Sequence, residues 1–177
     1  MTRHRFTAAA TAALLIANIA HAETVEINLV DMLDNIQDGY CVDIAGGQGA
    51  NADPANGLQG HTCYSPSGEI FVDQGFDSTQ FADGTLYMPE FDVCAEVSST
   101  QAGATIGLAA CDGSAAQHFV FSGEGTITPA AAPEMCLTLA ESTRTGRSDT
   151  NQIKELNLAA CSDDLAASQV WGNRTAD

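Results

Sequence analysis

The sequence predicts an all-β protein built from three related repeats, and two observations support this fold class. First, the apolar stretches are short, lack a sustained 3.6-residue period and are separated by Gly, Asp, Asn and Ser, as expected for strands joined by turns. Second, pairs of cysteines recur, and each pair is followed by an amide or acid, one residue and an aromatic residue. About four short strands per repeat would leave many exposed strand edges, so we expect the sheet to close on itself.

The repeats align on their cysteines. After the second cysteine of each pair come the tripeptides Glu69-Ile70-Phe71, Gln117-His118-Phe119 and Gln169-Val170-Trp171. The three aromatic residues are 48 and 52 positions apart. This alignment places the repeats at about 23–79, 80–122 and 123–177 of a single domain.

Local patterns predict the individual elements. Strands are expected at Val25–Val30, Tyr40–Ile44, Phe91–Val97 and Met135–Leu139, which alternate or run apolar. Two tight hairpin turns are expected at Asp83-Gly84 and Glu124-Gly125, because glycine supplies the positive φ that such turns require. The alanine-rich piece from Ala159 to Ala167 could form one helical turn.

The first 22 residues have the pattern of a cleaved signal peptide. A basic start at Arg3 and Arg5 precedes an alanine-rich apolar run, and Ala20-His21-Ala22 is a small-x-small cleavage site. The run is short for a bilayer span, so we expect no membrane insertion. Residues 1–22 are therefore predicted to be removed, which leaves 155 residues (177 − 22) in a secreted or periplasmic protein.

All six cysteines lie after the signal peptide, where export exposes thiols to oxidising conditions. None has the C-x₂-C spacing of a zinc site, so we expect no metal and no cofactor. The repeats predict one disulfide in each copy: Cys41–Cys63, Cys94–Cys111 and Cys136–Cys161.

The chain after residue 22 is strongly acidic. Four cations stand against 23 carboxylates, which gives a formal charge of −19 (4 − 23). Such a charge opposes binding of nucleic acid, because phosphate binding depends on Lys and Arg. It also makes a neutral ligand more favourable than an acidic one.

Three copies of Cys…Cys…Gln-x-aromatic, with glycine hairpins between them, resemble the ricin B-type lectins. The resemblance implies a β-trefoil fold, in which three repeats form a six-stranded barrel capped by three hairpins. In this fold the motif aromatics, Phe71, Phe119 and Trp171, are expected to pack into a shared core. It also implies a function, because members bind sugars in shallow pockets, up to one in each repeat. The family places four sugar-binding side chains in each pocket: an acid two residues after the first cysteine, an amide four residues before the second, an aromatic two residues before it, and an Asn just ahead of the Gln-x-aromatic motif.

Only the first repeat fills these positions with suitable chemistry. Its acid is Asp43, its amide is Gln59 and its flat residue is His61, while Gly68 stands at the Asn position and Glu69 at the Gln position. A carboxylate accepts hydrogen bonds from neighbouring sugar hydroxyls, and a flat side chain covers the C–H face of the ring. We therefore expect at most one carbohydrate site, made by Asp43, Gln59, His61 and Glu69.

The other two repeats are expected to be structural copies. The second has Glu96 at the acid position but Gly107, Ala109 and Ala116 at the others, and the third has Thr138, Asn157 and Ala159. We expect a binding protein for a neutral glycan and no enzyme, because no catalytic constellation is visible. The alternative is a degenerate trefoil with a protein partner, for example a toxin-accessory module without sugar binding.

Overall fold

The computed structural model describes residues 23–175, so the predicted signal peptide, residues 1–22, lies outside the described residues. The all-β prediction is confirmed, since thirteen strands carry the fold within residues 23–175. None of the helices among residues 23–175 is long and apolar enough to cross a membrane. The strands are β1 Thr24–Leu29, β2 Tyr40–Ile44, β3 Leu58–Thr62, β4 Phe76–Asp77, β5 Tyr87–Met88, β6 Val93–Val97, β7 Ile106–Ala109, β8 Phe119–Val120, β9 Gly125–Thr126, β10 Thr128–Pro129, β11 Met135–Thr145, β12 Gln152–Ala160 and β13 Val170–Arg174.

Helical structure within residues 23–175 is confined to short segments of three to six residues. The α-helix α1, Ala166–Gln169, overlaps the end of the alanine-rich piece in which one turn was predicted. The remaining turns are 3-10 helices at Pro54–Asn56, Ser65–Ser67, Val72–Gln74, Ser78–Asp83, Ala115–Gln117 and Asp163–Leu165.

The long hairpin β11–β12 joins the third repeat to the first. The largest sheet has the order β11-β12-β3-β2-β1-β13-β9, with β4 also paired to β1. In this sheet Ile153 of β12 pairs with His61 of β3, and Lys154 pairs with Gly60. Gly60 has no room for a side chain, because an added Cβ would clash with Leu139 of the same hairpin. The tip of the third repeat therefore lies beside the strands of the first.

Each repeat contains one disulfide, as predicted: Cys41–Cys63, Cys94–Cys111 and Cys136–Cys161. They close loops of 22, 17 and 25 residues, and loop entropy predicts about 3 kcal/mol of stabilisation from each. The shared core between the repeats is apolar and includes the fully buried side chains of Tyr40, Phe76, Phe119 and Trp171. The indole Nε1 of Trp171 donates a hydrogen bond to the carbonyl of Leu137 at 3.0 Å, so its one polar atom is satisfied.

One glutamine marks the same position in each repeat. Its side-chain oxygen accepts from the N–H of the residue after the second cysteine, and its Nε2 donates to the carbonyl of the residue before that cysteine. These bonds link the two sides of the segment that contains the cysteine, and they satisfy backbone groups that would otherwise be buried unpaired. The three residues are Gln74, Gln117 and Gln169.

The prediction for the first repeat is therefore wrong by five residues. The motif is Gln74-Gly75-Phe76 rather than Glu69-Ile70-Phe71, and Phe76 is fully buried whereas Phe71 is 41% exposed. A longer segment after Cys63, which contains the 3-10 turn Ser65–Ser67, separates the motif from its cysteine. The core prediction holds for Phe119 and Trp171.

The two predicted hairpin glycines take positive φ but do not form tight hairpin turns. Gly84, with φ of 78°, ends the 3-10 helix Ser78–Asp83. Gly125, with φ of 96°, begins strand β9 inside the wide loop that connects β8 and β10. Both positions therefore use the positive φ that glycine allows. The strands on either side of each glycine are shorter and further apart than a tight hairpin requires.

Candidate functional site

A cavity of about 710 Å³ opens between the first repeat and the tip of the β11–β12 hairpin. Its floor comes from β2 and β3, where Asp43 and Gln59 face each other across the strand pair. One wall is the glycine-rich loop after β2, and the opposite rim is the hairpin tip around Arg144 and Arg147. The predicted residues Asp43, Gln59 and His61 all line this cavity.

Asp43 is held by two amides at the floor. Gln59 Nε2 donates to Oδ1 at 2.9 Å and Gln74 Nε2 donates to Oδ2 at 3.1 Å, while only 2% of Asp43 is exposed. Burial raises the pKa of Asp43 to about 7, and the charge of Asp73 adds to this effect, whereas the two amide bonds oppose it. The floor therefore contains a carboxyl group that changes charge near neutral pH.

Asp73 is a second carboxylate of the cavity, and sequence reasoning missed it. Its Oδ2 accepts from the N–H of Gly49 at 2.8 Å and so fixes the glycine-rich loop. Gly47 must lack a side chain, because an added Cβ would meet the Asp73 carboxylate. Its Oδ1 is buried and has no hydrogen-bond partner among residues 23–175. An unpartnered carboxylate oxygen in a cavity is costly unless a ligand or water supplies a donor.

Three rings lie beside this carboxylate. Tyr64 contacts His61 with ring centroids 5.4 Å apart, and it meets Phe71 edge to face at 4.6 Å. His61 is buried, and its Nδ1 lies 2.9 Å from the carbonyl of Thr62, which can only accept, so Nδ1 carries the proton. Burial lowers the pKa of His61 below its usual value. The ring of Phe71 is 41% exposed and lines the cavity, so it adds an apolar surface near His61.

The rim is formed by the third repeat. Arg144 lies on β11 and its Nη2 donates to Gln59 Oε1 at 2.8 Å, so it orients the amide whose Nε2 holds Asp43. Arg147 lies beyond it at the hairpin tip, and both arginines line the cavity. The site is therefore built from two repeats, although its floor belongs to the first alone.

Glu69 is not brought to this cavity. It is exposed and lies outside the lining residues, in the segment between Cys63 and Gln74. Once Gln74 is recognised as the motif glutamine, the position just ahead of it is Asp73 rather than Gly68. The sequence contains the motif as Gln74-Gly75-Phe76, but its aromatic residue lies 13 positions after the second cysteine of the repeat, against 8 and 10 positions in the other two repeats.

The third repeat forms a related but different cavity. Gln169 Nε2 donates to Thr138 Oγ1 at 3.0 Å, as Gln74 does to Asp43, so Thr138 occupies the equivalent position without a charge. A cavity of about 720 Å³ beside it is lined mainly by apolar atoms and contains Lys154. Lys154 already pairs with Asp34, with 3.1 Å between Nζ and Oδ1. Among residues 23–175, no residue lining this cavity has a buried acceptor oxygen without a partner, unlike Asp73 in the first cavity.

Among residues 23–175, one group of potential metal ligands comes close together: Glu26, Cys41 and Cys63. The two cysteines are joined in a disulfide, which removes their thiolates as ligands. Glu26 is buried against Arg174, with 3.3 Å between its Oε2 and the arginine Nε. These three residues therefore have a structural role, as a disulfide and a buried ion pair, rather than a metal-binding role.

Comparisons with known proteins agree with this architecture. Among solved structures, the chain is similar to the solution structure of the mdaA-1 domain (17% identity, TM-score 0.57, covering 92% of this chain and 97% of that one). It is also similar to the crystal structure of ThreeFoil, a designed protein with three-fold symmetry (14% identity, TM-score 0.56, covering 85% and 98%). No curated protein sequence is significantly similar to this chain.

The sequence of residues 30–171 matches the family model of the ricin-type beta-trefoil lectin domain. The matched range includes all six cysteines and all three motif glutamines. The fold prediction of a β-trefoil with one disulfide in each repeat is thereby confirmed. The chain belongs to the ricin-type β-trefoil lectin family.

Proposed function

We propose that this protein binds a carbohydrate in the cavity of its first repeat. The observation that carries the proposal is Asp73, whose Oδ1 is a buried acceptor without a partner among residues 23–175. A sugar hydroxyl is the type of donor that such an oxygen requires, and the bond is strengthened by the charge of the carboxylate. The family match makes carbohydrate the first ligand class to consider.

The surrounding side chains fit the two surfaces of a sugar ring. Gln59 and Asp43 form a polar floor, and the ring of Phe71 offers an apolar face that is 41% exposed. Sugars present hydroxyls along the ring edge and C–H groups on the ring face, so they match this combination. Tyr64 keeps its proton, since burial raises the pKa of its phenol to about 12, and it can both donate and accept.

We infer a binding role rather than catalysis, in a secreted or periplasmic setting. Three disulfides favour an oxidising compartment. The alternative, a protein-interaction module that binds no sugar, predicts that the cavity is irrelevant to the function. Net charge alone favours a neutral glycan, whereas the rim of the cavity carries two arginines.

The test is binding to a broad glycan panel by the wild-type protein and by Phe71→Ala. Loss of an exposed ring that covers the sugar should weaken binding about tenfold, since such contacts contribute on the order of 1–2 kcal/mol. Val120→Ala is the matched control, because Val120 is 58% exposed and lies outside this cavity. Absence of binding to every glycan, or equal binding by Phe71→Ala, would contradict the proposal.

A further inference from the structure

The cationic side chains of this acidic chain are distributed unevenly. After residue 22 the sequence contains only Arg144, Arg147, Lys154 and Arg174. Two of them are committed to structural ion pairs: Lys154 is buried against Asp34, and Arg174 binds Glu26. The other two line the same cavity.

Neither rim arginine forms an ion pair with a carboxylate of residues 23–175. Asp149 is two residues from Arg147 at the hairpin tip, and yet it is not within ion-pair distance of it. Arg144 donates one hydrogen bond to the neutral amide of Gln59, which leaves most of its five N–H donors unused. The chain carries 23 carboxylates, so most of its surface is negative. The two arginines without an ion pair give this cavity a local positive charge.

The cavity therefore has two ends of different chemistry. At the floor, Asp73 offers an acceptor for hydroxyl groups and Phe71 offers an apolar surface. At the rim, Arg144 and Arg147 offer paired N–H donors whose planar geometry fits the oxygens of a carboxylate or a sulfate. A ligand with hydroxyls at one end and an anionic group at the other would satisfy both ends.

We propose that the ligand is an acidic sugar, in which a ring bearing free hydroxyls also carries a carboxylate or sulfate group. This inference rests on the proposed function, since it names the class of glycan that the same cavity takes. It replaces the expectation of a neutral glycan, which was based on net charge alone.

Two electrostatic effects act on an anionic ligand: repulsion by the net negative charge of the chain and attraction by the two rim arginines. Their magnitudes favour the attraction by the arginines. At physiological ionic strength the Debye length is about 8 Å, so most of the 23 carboxylates are screened from a ligand in the cavity. An anionic group in direct contact with a guanidinium is within about 4 Å of its charge and is screened far less. The carboxyl groups that line the cavity are those of Asp43 and Asp73, and Asp43 is partly protonated at neutral pH, which reduces the local repulsion.

The experiment uses the full mature chain with its disulfides and a glycan panel containing neutral, uronic-acid, sialylated and sulfated members. The best acidic binder is then compared by calorimetry with its own neutral derivative, the methyl ester of a carboxylate or the desulfated form of a sulfate. We expect the acidic form to bind at least about tenfold more tightly, the effect of one charge-assisted hydrogen bond. Whether carboxylates or sulfates dominate identifies the anionic group.

The variant is Arg147→Gln, which removes a charge from a side chain that makes no hydrogen bond or ion pair with the other residues of 23–175. The affinity ratio between the acidic ligand and its neutral derivative should fall from ten or more to about 1–3. Arg147→Lys keeps the charge but loses the planar fork, so it should give an intermediate ratio. Gln101→Glu is the matched control: it changes net charge by the same amount at an exposed residue outside the cavity, and the ratio should not change.

The outcomes separate the two proposals. Equal affinity for the acidic and neutral forms, or an unchanged ratio in Arg147→Gln, would overturn the acidic ligand but leave sugar binding intact. No binding to any glycan would overturn both. A ratio that falls equally in Gln101→Glu would also overturn the role of the rim, because only the net charge would then matter.

Discussion

The Nε2 group of Gln74 lies 3.1 Å from Oδ2 of Asp43, so the residue that fixes the backbone of the first repeat also holds the carboxyl group of the cavity floor. The same Nε2 donates to the carbonyl of Thr62 at 3.0 Å. Folding of this repeat and formation of the site therefore depend on one amide. Gln117 makes the equivalent backbone bonds without any carboxyl partner, which provides an internal comparison.

Gln74→Ala should destabilise the protein more than Gln117→Ala at pH 8. Each change removes two bonds to buried backbone, at a cost of about 1–3 kcal/mol. Gln74→Ala also removes a donor to the ionised Asp43, which should add about 1–2 kcal/mol. Urea denaturation at pH 8 and pH 5 measures the difference. It should shrink at pH 5, where Asp43 is protonated, and equal losses at both pH values would contradict the assigned contact.

Phe76→Ala and Phe71→Ala should differ strongly in their effect on stability. Phe76 is fully buried in the core, and its truncation leaves a cavity worth about 3–5 kcal/mol of unfolding free energy. Phe71 is partly exposed, so its truncation should cost less than about 1 kcal/mol. Thermal or urea unfolding of the two variants decides the repeat alignment. A larger loss in Phe71→Ala would restore Glu69-Ile70-Phe71 as the core motif.

Asp43 should make stability fall as pH rises from 5 to 8. Its folded pKa of about 7 lies above the ordinary value of 3.8, so in this window the folded state binds more protons than the unfolded state. The stabilisation from its protonated form is complete below about pH 4 and is lost as pH rises through about 7. Relative to Asp43→Asn, the wild type should lose about 2–3 kcal/mol between pH 5 and pH 8.

Subtracting the Asp43→Asn curve removes the contributions of the other carboxylates. Glu134→Gln is the control, because Glu134 is exposed, and its difference from the wild type should stay nearly constant with pH. A flat difference for Asp43→Asn would show that the carboxyl group is already ionised at pH 5.

The buried Lys154 should make the protein sensitive to loss of Asp34. Lys154 is 3% exposed and Asp34 is half exposed, so Asp34→Asn should cost about 1–3 kcal/mol, less than breaking a fully buried pair. Lys154→Met, which removes the charge and keeps the volume, should stay within about 1 kcal/mol of the wild type. The double variant should resemble Lys154→Met. If Asp34→Asn lowers the free energy of unfolding equally in the wild type and in Lys154→Met, the two residues are not coupled.

The contribution of Asp34 to the free energy of unfolding also depends on pH, over a defined range. Burial alone would raise the pKa of Asp34, but hydrogen bonds from Thr143, Tyr40 and Lys154 outweigh it and lower the pKa to about 2. The folded pKa is thus below the ordinary 3.8, so the stabilisation is present above about pH 4 and is lost as pH falls through about 2. The cost of Asp34→Asn should follow this range.

The sequence predicted those features that depend on distance from a cysteine. The Cys41–Cys63 disulfide, Asp43, Gln59 and His61 lie in β2 and β3 or at their ends, where fixed spacing translates directly into position on paired strands. The alignment failed for Phe71 because the loop after Cys63 is longer than its counterparts, and counting residues cannot detect an inserted 3-10 turn. Requiring a glutamine in the motif, rather than a constant spacing, would have selected Gln74.

The rim could not be predicted in the same way. Arg144 reaches Gln59 across 85 positions of sequence, through a hairpin whose register shifts between Leu139 and Thr143. A shift of this kind changes which side chains face the first repeat, and no local pattern in the sequence reports it.

Because β12 of the third repeat pairs with β3 of the first, the cavity is lined by residues of two repeats and is not contained in either one alone. Duplicating the first repeat, or grafting it onto a symmetric trefoil, would transfer the floor of the cavity and leave Arg144 and Arg147 behind. A polypeptide that ended before β12 would carry every residue of the floor and yet have no strand beside His61. In the proposed site, ligand preference would therefore depend on residues of the third copy, and Arg144 lies 85 positions from Gln59 in the sequence.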